Sequence, residues 1–468
     1  MISNNMVTQF SEQTILQTLQ QQKDFFKTGI TLTIANRKQI LLKLLNCIKQ
    51  YEEELLQALY ADMRKSPFEA YATEIGIVYQ EIKFHVKNLQ KWSRGQLVKT
   101  NQLIHFWSTS RVVPQPYGQT LIISPWNYPF QLTLMPLIGA ISAGNTAVIK
   151  PSEFTPKTAN VITKIIQDVF SPGWVSVFTG GPEVSQQLLD QKWDYIFFTG
   201  SPRIGRLVMQ AAAKYLTPVT LELGGKSPTI VTQHANIAVA AKRIVWGKLI
   251  NAGQTCIAPD YVLVNESIKD VFVKYLIHYI KAFYGENIET NNDFPAMINQ
   301  HHAQRVVNYL QQGKVLYGGS YNLNNRFIEP TILEVNQTAQ PVMEEEIFGP
   351  VLPVLTFKNL ADAADFINQK PKPLALYIFT EVKHEVEYIM QHTISGSMCI
   401  NEVIMQVANE HLPFGGVGNS GMGSYHGYNS FLAFSHKRSV LKKATWIDIP
   451  LRYPPFGNKL KWVKRFLS

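Results

Sequence analysis

Cys256 is the residue best suited to covalent chemistry. It lies in GQTCIAPD, among a glycine, an amide, a hydroxyl, a proline and an acid, whereas Cys47 and Cys399 sit in apolar company. A thiolate is a strong nucleophile once neighbours lower its pKa or a base assists it. The alternative is a small residue in a turn. Glu222 in LELGGKSP precedes two glycines. A carboxylate beside so open a turn can act as a general base, or be merely solvated. Asn127 in SPWNYPF can donate to an oxyanion or simply stabilise a turn. In VIKPSE, Lys150 and Glu153 can hold ribose hydroxyls, or Lys150 can be a surface lysine ahead of a helix. In FFTGSPRIG a strand ends at Thr199, Gly200 and Ser201 follow, and Gly205 falls in the first helical turn. Backbone N–H groups there can cradle a phosphate. The spacing is GxxxxG, so the usual dinucleotide fingerprint is absent, and an ordinary strand-to-helix turn reads the same way. No cysteine-hydrolase signature accompanies Cys256.

These residues need elements to hold them. Up to about Arg94 the chain reads as helical, with Leu41, Leu45, Ile48, Leu55, Leu56 and Leu59 at helical spacing. Cys47 falls on a packing face of that run. From Gln119 short runs such as QTLIIS, NTAVIKP, WVSVFTG, YIFFTGS and PTIVTQ alternate with helical stretches. That alternation predicts a parallel sheet covered by helices, with ligands at the carboxyl ends of its strands. Asn127, Lys150, Ser201 and Glu222 all follow such runs. A second alternating block, from YVLVN to SMCIN, predicts a second α/β domain.

The bulk composition excludes several classes. A chain of 468 residues with 46% hydrophobic and 17% charged residues is a globular protein of more than one unit. Three scattered cysteines exclude a disulfide framework and a zinc cluster, and fit a reducing compartment. The opening MISNNMVTQFSEQ has no basic stretch followed by an apolar one, so no secretory signal is expected. Val112 to Ile149 carries no charge but five prolines; it reads as strand, turn and buried helix rather than a membrane span. Net charge is +10, and from Lys437 to Ser468 nine Lys/Arg oppose Asp448 alone. Nine minus one leaves +8 there, which predicts a basic tail rather than a nucleic-acid-binding face. From Leu460 onward, apolar Leu460, Trp462, Val463, Phe466 and Leu467 face away from Lys461, Lys464 and Arg465. This is the pattern of a short helix lying on a membrane surface, or of one packed on a partner subunit.

The order of motifs adds a family. PWNYPF, IKPSE, FTGSPRIG, LELGGKSP, GQTCIAPDY, EEEIFGPVLPV, SMCINEV and LPFGGVGNSGMGSYHG follow one another along the chain. Over roughly residues 30 to 455 the sequence resembles the aldehyde dehydrogenase superfamily. GQTCIAPDY, HLPFGGVGNSGMGSYHGYNSF and LRYPP resemble its class 3 branch, which includes fatty aldehyde dehydrogenases. The resemblance implies an α/β fold of two domains with parallel sheets: a Rossmann-like cofactor domain, a catalytic domain and a small bridging, oligomerisation element. The implied bounds are 1–105 with 120–224 for cofactor binding, 225–417 for catalysis, 106–119 with 418–444 for bridging, and 445–468 for the basic tail.

The resemblance also assigns roles. Cys256 is the implied nucleophile, Glu222 the base that activates water, and Asn127 the oxyanion donor together with the Cys256 N–H. Lys150 and Glu153 lie near the adenosine ribose, Ser201 and Gly205 near the pyrophosphate, and Glu346 and Phe348 at the nicotinamide ribose and ring. Trp126, Ser152, Thr199, Gly200, Leu223 and Gly224 complete the implied cofactor contacts, and Asn401 is an active-site neighbour. The implied reaction oxidises a medium- or long-chain aliphatic or aromatic aldehyde through a Cys256 thioester. NAD is the implied cofactor, with NADP also accepted; no metal is implied. A homodimer in the cytoplasm, in peripheral contact with membrane through the tail, is expected. Tyr71, Tyr79 and Trp107 are candidate entrance aromatics. Transfer of the acyl group to CoA, or a non-catalytic relative, are the rival readings; the presence of both Cys256 and Glu222 argues against the non-catalytic one, and retention of Glu222 favours hydrolysis.

Overall fold

The computed structural model describes residues 12–102, 105–448 and 450–467. The N-terminal part is helical. The predicted run over residues 34 to 63 divides at Tyr51 into helices Ile34–Gln50 and Glu52–Met63. Glu52, Glu53 and Glu54 fill the first turn of the second, where carboxylates suit the positive end of the helix dipole. Both helices bury their leucine faces, and Cys47 is buried with them.

Across the first sheet the strands run Gly421–Met422, Val219–Leu223, Tyr195–Gly200, Gln119–Ile123, Thr146–Lys150 and Val175–Val177. All pair in parallel except Gly421–Met422, which joins the edge antiparallel. Side chains alternate between two cores. Ile122, Ile149 and Phe197 pack with the N-terminal helices, while Leu121, Val148, Phe198 and Leu221 pack on the other face. Helix Gln131–Ala143 is buried along its whole length against the first of these cores. The uncharged stretch from Val112 is therefore strand, buried helix and strand. No helix among the described residues is long and apolar enough to cross a membrane.

The second sheet runs Lys314–Tyr317, Thr331–Glu334, Val351–Phe357, Tyr261–Asn265, Pro228–Val231, Ala375–Phe379 and Ser397–Ile400, parallel except at its Lys314–Tyr317 edge. A third sheet joins Gln96–Val98, Ser108–Pro116 and Ser435–Lys443. Its last strand corrects the reading of a basic tail. Lys437, Arg438, Lys442 and Lys443, four of the nine cations, belong to this folded strand and face solvent or its rim. Beyond it Trp446 packs on Trp107, with ring centroids 5.4 Å apart. The chain ends in helix Lys459–Leu467, with Leu460 and Trp462 exposed.

Candidate active site

The carboxyl ends of the first sheet meet the loop of Cys256. After helix Ile237–Leu249 the chain passes through Asn251, Ala252 and Gly253, all left-handed, with φ of 52°, 51° and 76°. Such conformations cost an ordinary residue about 1–3 kcal/mol and need fixing by neighbours. The fixing is dense. The Asn251 N–H donates to Glu69 Oε1 at 2.8 Å, and its side-chain amide donates to Asn127 O at 2.8 Å and Gln254 O at 3.1 Å. Gln254 bonds the main chain of Asn251, Ala296 and Ile298. Tyr128 and Thr255 hydroxyls meet at 2.6 Å, and Tyr377 donates to Ile257 O at 2.6 Å. A β-carbon at Gly253 would lie 2.3 Å from Gly349 O, so only glycine allows the two loops to meet there.

Asn127 is buried. Its main-chain oxygen accepts from Lys65 Nζ at 2.9 Å as well as from Asn251, and its side-chain amide donates to Gln254 O at 3.1 Å. Lys65 is itself buried and paired with Glu74, whose other oxygen accepts the Phe130 N–H. One amide hydrogen of Asn127 remains for another acceptor.

Cys256 is half-buried. Burial, then the nearby carboxylates of Glu346 and Glu222, push its thiol up, while the N–H groups of Cys256 and Ile257 favour the thiolate. Glu222 is buried, and neither carboxylate oxygen has a hydrogen-bond partner. Burial alone raises it well above the usual carboxylate range. Burial without a partner disfavours the carboxylate form, so the ionised group is a strong base. Glu346 rests on the glycine turn after Glu222. A β-carbon at Gly224 would lie 2.0 Å from its Oε2, and the Gly225 N–H bonds it. Burial, with the charge of Asp260, pushes Glu346 up to about 8.

The proposed cofactor residues form a continuous rim. Thr199 lies opposite Glu222 in the strand register, with its buried hydroxyl oxygen unpartnered. Gly200 leads to Ser201, which caps helix Pro202–Ala213 by accepting the Ile204 N–H at 3.4 Å. Gly205 abuts Leu223: a β-carbon there would lie 2.7 Å from Leu223 Cδ2. Lys150 and Glu153 pair at 2.7 Å, and Ser152 accepts the Phe154 N–H. Trp126 meets Phe348 edge-on at 5.3 Å and His302 at 5.2 Å; His302 in turn meets Phe154 at 6.3 Å. The rim fits a nicotinamide dinucleotide. It offers a capped helix N-terminus for phosphate and two buried polar atoms, Thr199 Oγ1 and Glu346 Oε1, with no protein partner.

Some readings change. Asn401 commits its side-chain oxygen and amide to the Thr380 main chain, both at 2.8 Å, and so braces a strand end. Tyr79 is buried and donates to Glu52, so it lines no entrance, whereas Tyr71 and Trp107 are both exposed, Trp107 meeting Trp446 at a tilt. The bracing residues Lys65, Glu69, Glu74 and Tyr377 had no sequence signal, and Tyr128 lies inside PWNYPF. Lys226 and Asp260 lie inside the quoted motifs, where an unexplained charge beside each reactive residue was the available clue.

The chain matches the family model for the aldehyde dehydrogenase family over residues 5–440. It is 47% identical to 4,4'-diaponeurosporen-aldehyde dehydrogenase of Staphylococcus aureus, covering 95% of this chain and 97% of that protein. It is 42% identical to aldehyde dehydrogenase family 3 member B3 of Mus musculus, covering 96% and 94%. The solved substrate-bound Staphylococcus aureus AldH superposes with a TM-score of 0.95 at 46% identity, covering 97% of this chain and 99% of that one. The chain belongs to the aldehyde dehydrogenase family, in its family 3 branch, and is an NAD(P)-dependent enzyme oxidising aldehydes to carboxylic acids.

Proposed function

We propose that Cys256 is the nucleophile, Glu222 the base and Asn127 the oxyanion donor of this oxidation. The observation that carries the reading is that Asn127 grips the carbonyl two residues before Cys256, while buried, unpartnered Glu222 sits on a strand end tied to the Cys256 loop by Lys226 and Asp260. The Cys256 sulfur adds to the aldehyde carbon. Asn127 and the Cys256 N–H stabilise the oxygen that gains charge, each donor contributing a few kcal/mol. A nicotinamide held at Glu346 and Phe348 would supply the hydride acceptor, leaving a thioester on Cys256. Glu222 takes a proton from water, the hydroxide adds to the thioester, and the C–S bond breaks to release the acid and the thiolate. Unpartnered Glu222 oxygens favour hydrolysis over transfer to CoA.

Trp126, Ser152, Thr199, Gly200, Ser201, Gly205, Leu223, Gly224, Glu346 and Phe348 hold the dinucleotide, with Lys150 and Glu153 at the adenosine ribose. A carboxylate there disfavours a 2′-phosphate, so NAD is preferred and NADP tolerated. The substrate is a long or aromatic aldehyde. Support comes from exposed Trp246 on the helix that leads into the Cys256 loop, from exposed Tyr71, and from the diaponeurosporen-aldehyde in the name of the staphylococcal relative. NAD(P)H formation across an aldehyde panel, with Cys256→Ser and Glu222→Gln, tests the reading. Cys256→Ser is expected to be inactive and Glu222→Gln to accumulate an acyl-enzyme; full turnover of Cys256→Ser would end it.

We further propose a cytoplasmic homodimer formed through the three-stranded sheet, with 1–105 and 120–224 as cofactor domain, 225–417 as catalytic domain and 106–119 with 418–444 as bridge. The free state of all three cysteines supports a reducing compartment. Residues 445–468 make peripheral contact with anionic membrane: exposed Trp446, Phe456, Leu460 and Trp462 lie among Arg452, Lys459, Lys461, Lys464 and Arg465.

A further inference from the structure

Tyr425 stands on the same face of the first sheet as Glu222. Strand register sets Thr199 opposite Glu222 and Phe197 opposite Thr220. Side chains two apart share a face, so Tyr195, Phe197 and Thr199 lie with Thr220 and Glu222. The Tyr195 and Thr220 hydroxyls meet there at 2.5 Å. The Tyr425 ring packs edge-on against Phe197, with centroids 5.1 Å apart.

The segment carrying Tyr425 is tied to the Glu222 strand itself. Gly421 pairs with Glu222, and the Leu223 N–H donates to Ser420 O at 3.1 Å. At Gly423 a β-carbon would lie 2.4 Å from Thr220 Oγ1. Tyr425 and Phe414 exchange both backbone hydrogen bonds, at 3.0 and 2.8 Å. The Tyr425 side chain is 1% exposed and cannot swing away. Neither carboxylate oxygen of Glu222, on the face that Tyr425 covers, has a hydrogen-bond partner. Burial first, then the charges of Glu222 and Cys256, disfavour the phenolate of Tyr425. A buried carboxyl left without a partner is costly unless water joins it.

We propose that Tyr425 is a water-positioning residue, whose hydroxyl and the Glu222 carboxylate hold between them the water that attacks the acyl group on Cys256. The proposal rests on the roles assigned above to Cys256 and Glu222. One O–H of the water points to Glu222, which takes that proton. The other points to the phenol oxygen, leaving a lone pair for the thioester carbon, and the C–S bond then breaks. Tyr425 keeps its own proton throughout, because burial and neighbouring negative charge both disfavour phenolate.

Tyr425→Phe keeps the ring and removes the hydroxyl. Acyl-enzyme is detected by intact mass after quenching, and its formation and decay are timed separately. In Tyr425→Phe, formation is expected within about twofold of wild type, while decay slows about tenfold, the loss of one hydrogen bond to the reacting water. Hydroxylamine, a nucleophile that needs no placed water, is expected to restore turnover. In a Glu222→Gln background the second substitution should add less than twofold, because both residues act on one water. Wild-type decay in Tyr425→Phe, or equal slowing of formation and decay, would overturn the proposal. An acyl adduct on Cys256 that never forms in Glu222→Gln would instead overturn the reading beneath it, and this proposal with it.

Discussion

Lys226 and Asp260 form a buried ion pair at 2.5 Å that joins the strand end of Glu222 to the loop of Cys256. Each lies four positions after the reactive residue it follows. Lys226 also donates to Val342 O and Glu345 O, and Asp260 accepts the Ile347 N–H at 3.0 Å. One pair thereby fixes three loops, including the one that carries Glu346 and Phe348.

Asp260→Asn should leave the Lys226 ammonium buried without its counter-charge. Breaking one side of such a pair costs about 3–5 kcal/mol. The urea midpoint should fall accordingly, and Lys226→Met combined with Asp260→Asn should recover part of the loss. An unchanged midpoint in Asp260→Asn would contradict this account.

The pH dependence of Cys256 reactivity should carry the mark of Glu346. Burial pushes Glu346 up to about 8, and its carboxylate disfavours a neighbouring thiolate. Above that pH the rise of thiolate in the wild type is held back. Glu346→Gln should therefore speed iodoacetamide labelling of Cys256 about threefold or more near pH 9, with little change near pH 6.5. Peptide mapping of the labelled site reads the result.

Glu69 makes stability pH-dependent. Burial pushes it up to about 7 from an ordinary 4.5, with its Oε1 holding the Asn251 N–H. The raised value means that the native state keeps a proton which the unfolded chain has lost. Its contribution is full below 4.5 and lost as pH rises through about 7. Glu69→Gln, which still accepts the hydrogen bond, should be more stable than wild type by about 2 kcal/mol near pH 8.5 and equal to it near pH 4.5. Denaturant midpoints at the two values test the sign.

Removal of residues 445–468 should abolish flotation with vesicles rich in anionic lipid and leave aldehyde oxidation in solution unchanged. Each Lys or Arg near such a surface contributes about 1 kcal/mol. Added salt should weaken the wild-type interaction. Equal flotation of the full chain and the truncated one would exclude a membrane role for the tail.

The strand-end residues were legible because the physics of parallel sheets is local in sequence. A β-branched run, a turn and a helix put Asn127, Lys150, Ser201 and Glu222 at the ligand edge whatever the rest of the chain does. Cys256 was legible through the resemblance more than through its neighbours. The bracing beneath it was not, since Lys65 reaches Asn127 across 62 positions and Glu69 reaches Asn251 across 182. No periodicity announces such contacts. The cations of Ser435–Lys443 read as tail in the sequence because an exposed edge strand rich in lysine shows no clean alternation. Lysine on an edge is a common guard against edge-to-edge pairing.

Lys65, Asn127 and Asn251 come from distant stretches of the chain, yet they converge on a single carbonyl oxygen. A recombination crossover placed between any two of them would import one member of that set from a different parent. Chimeras of this chain with its relatives should then split by parentage at these positions rather than by the share of sequence exchanged. What can be transplanted here is a set of matched contacts, and the seams for shuffling lie outside residues 65 to 251.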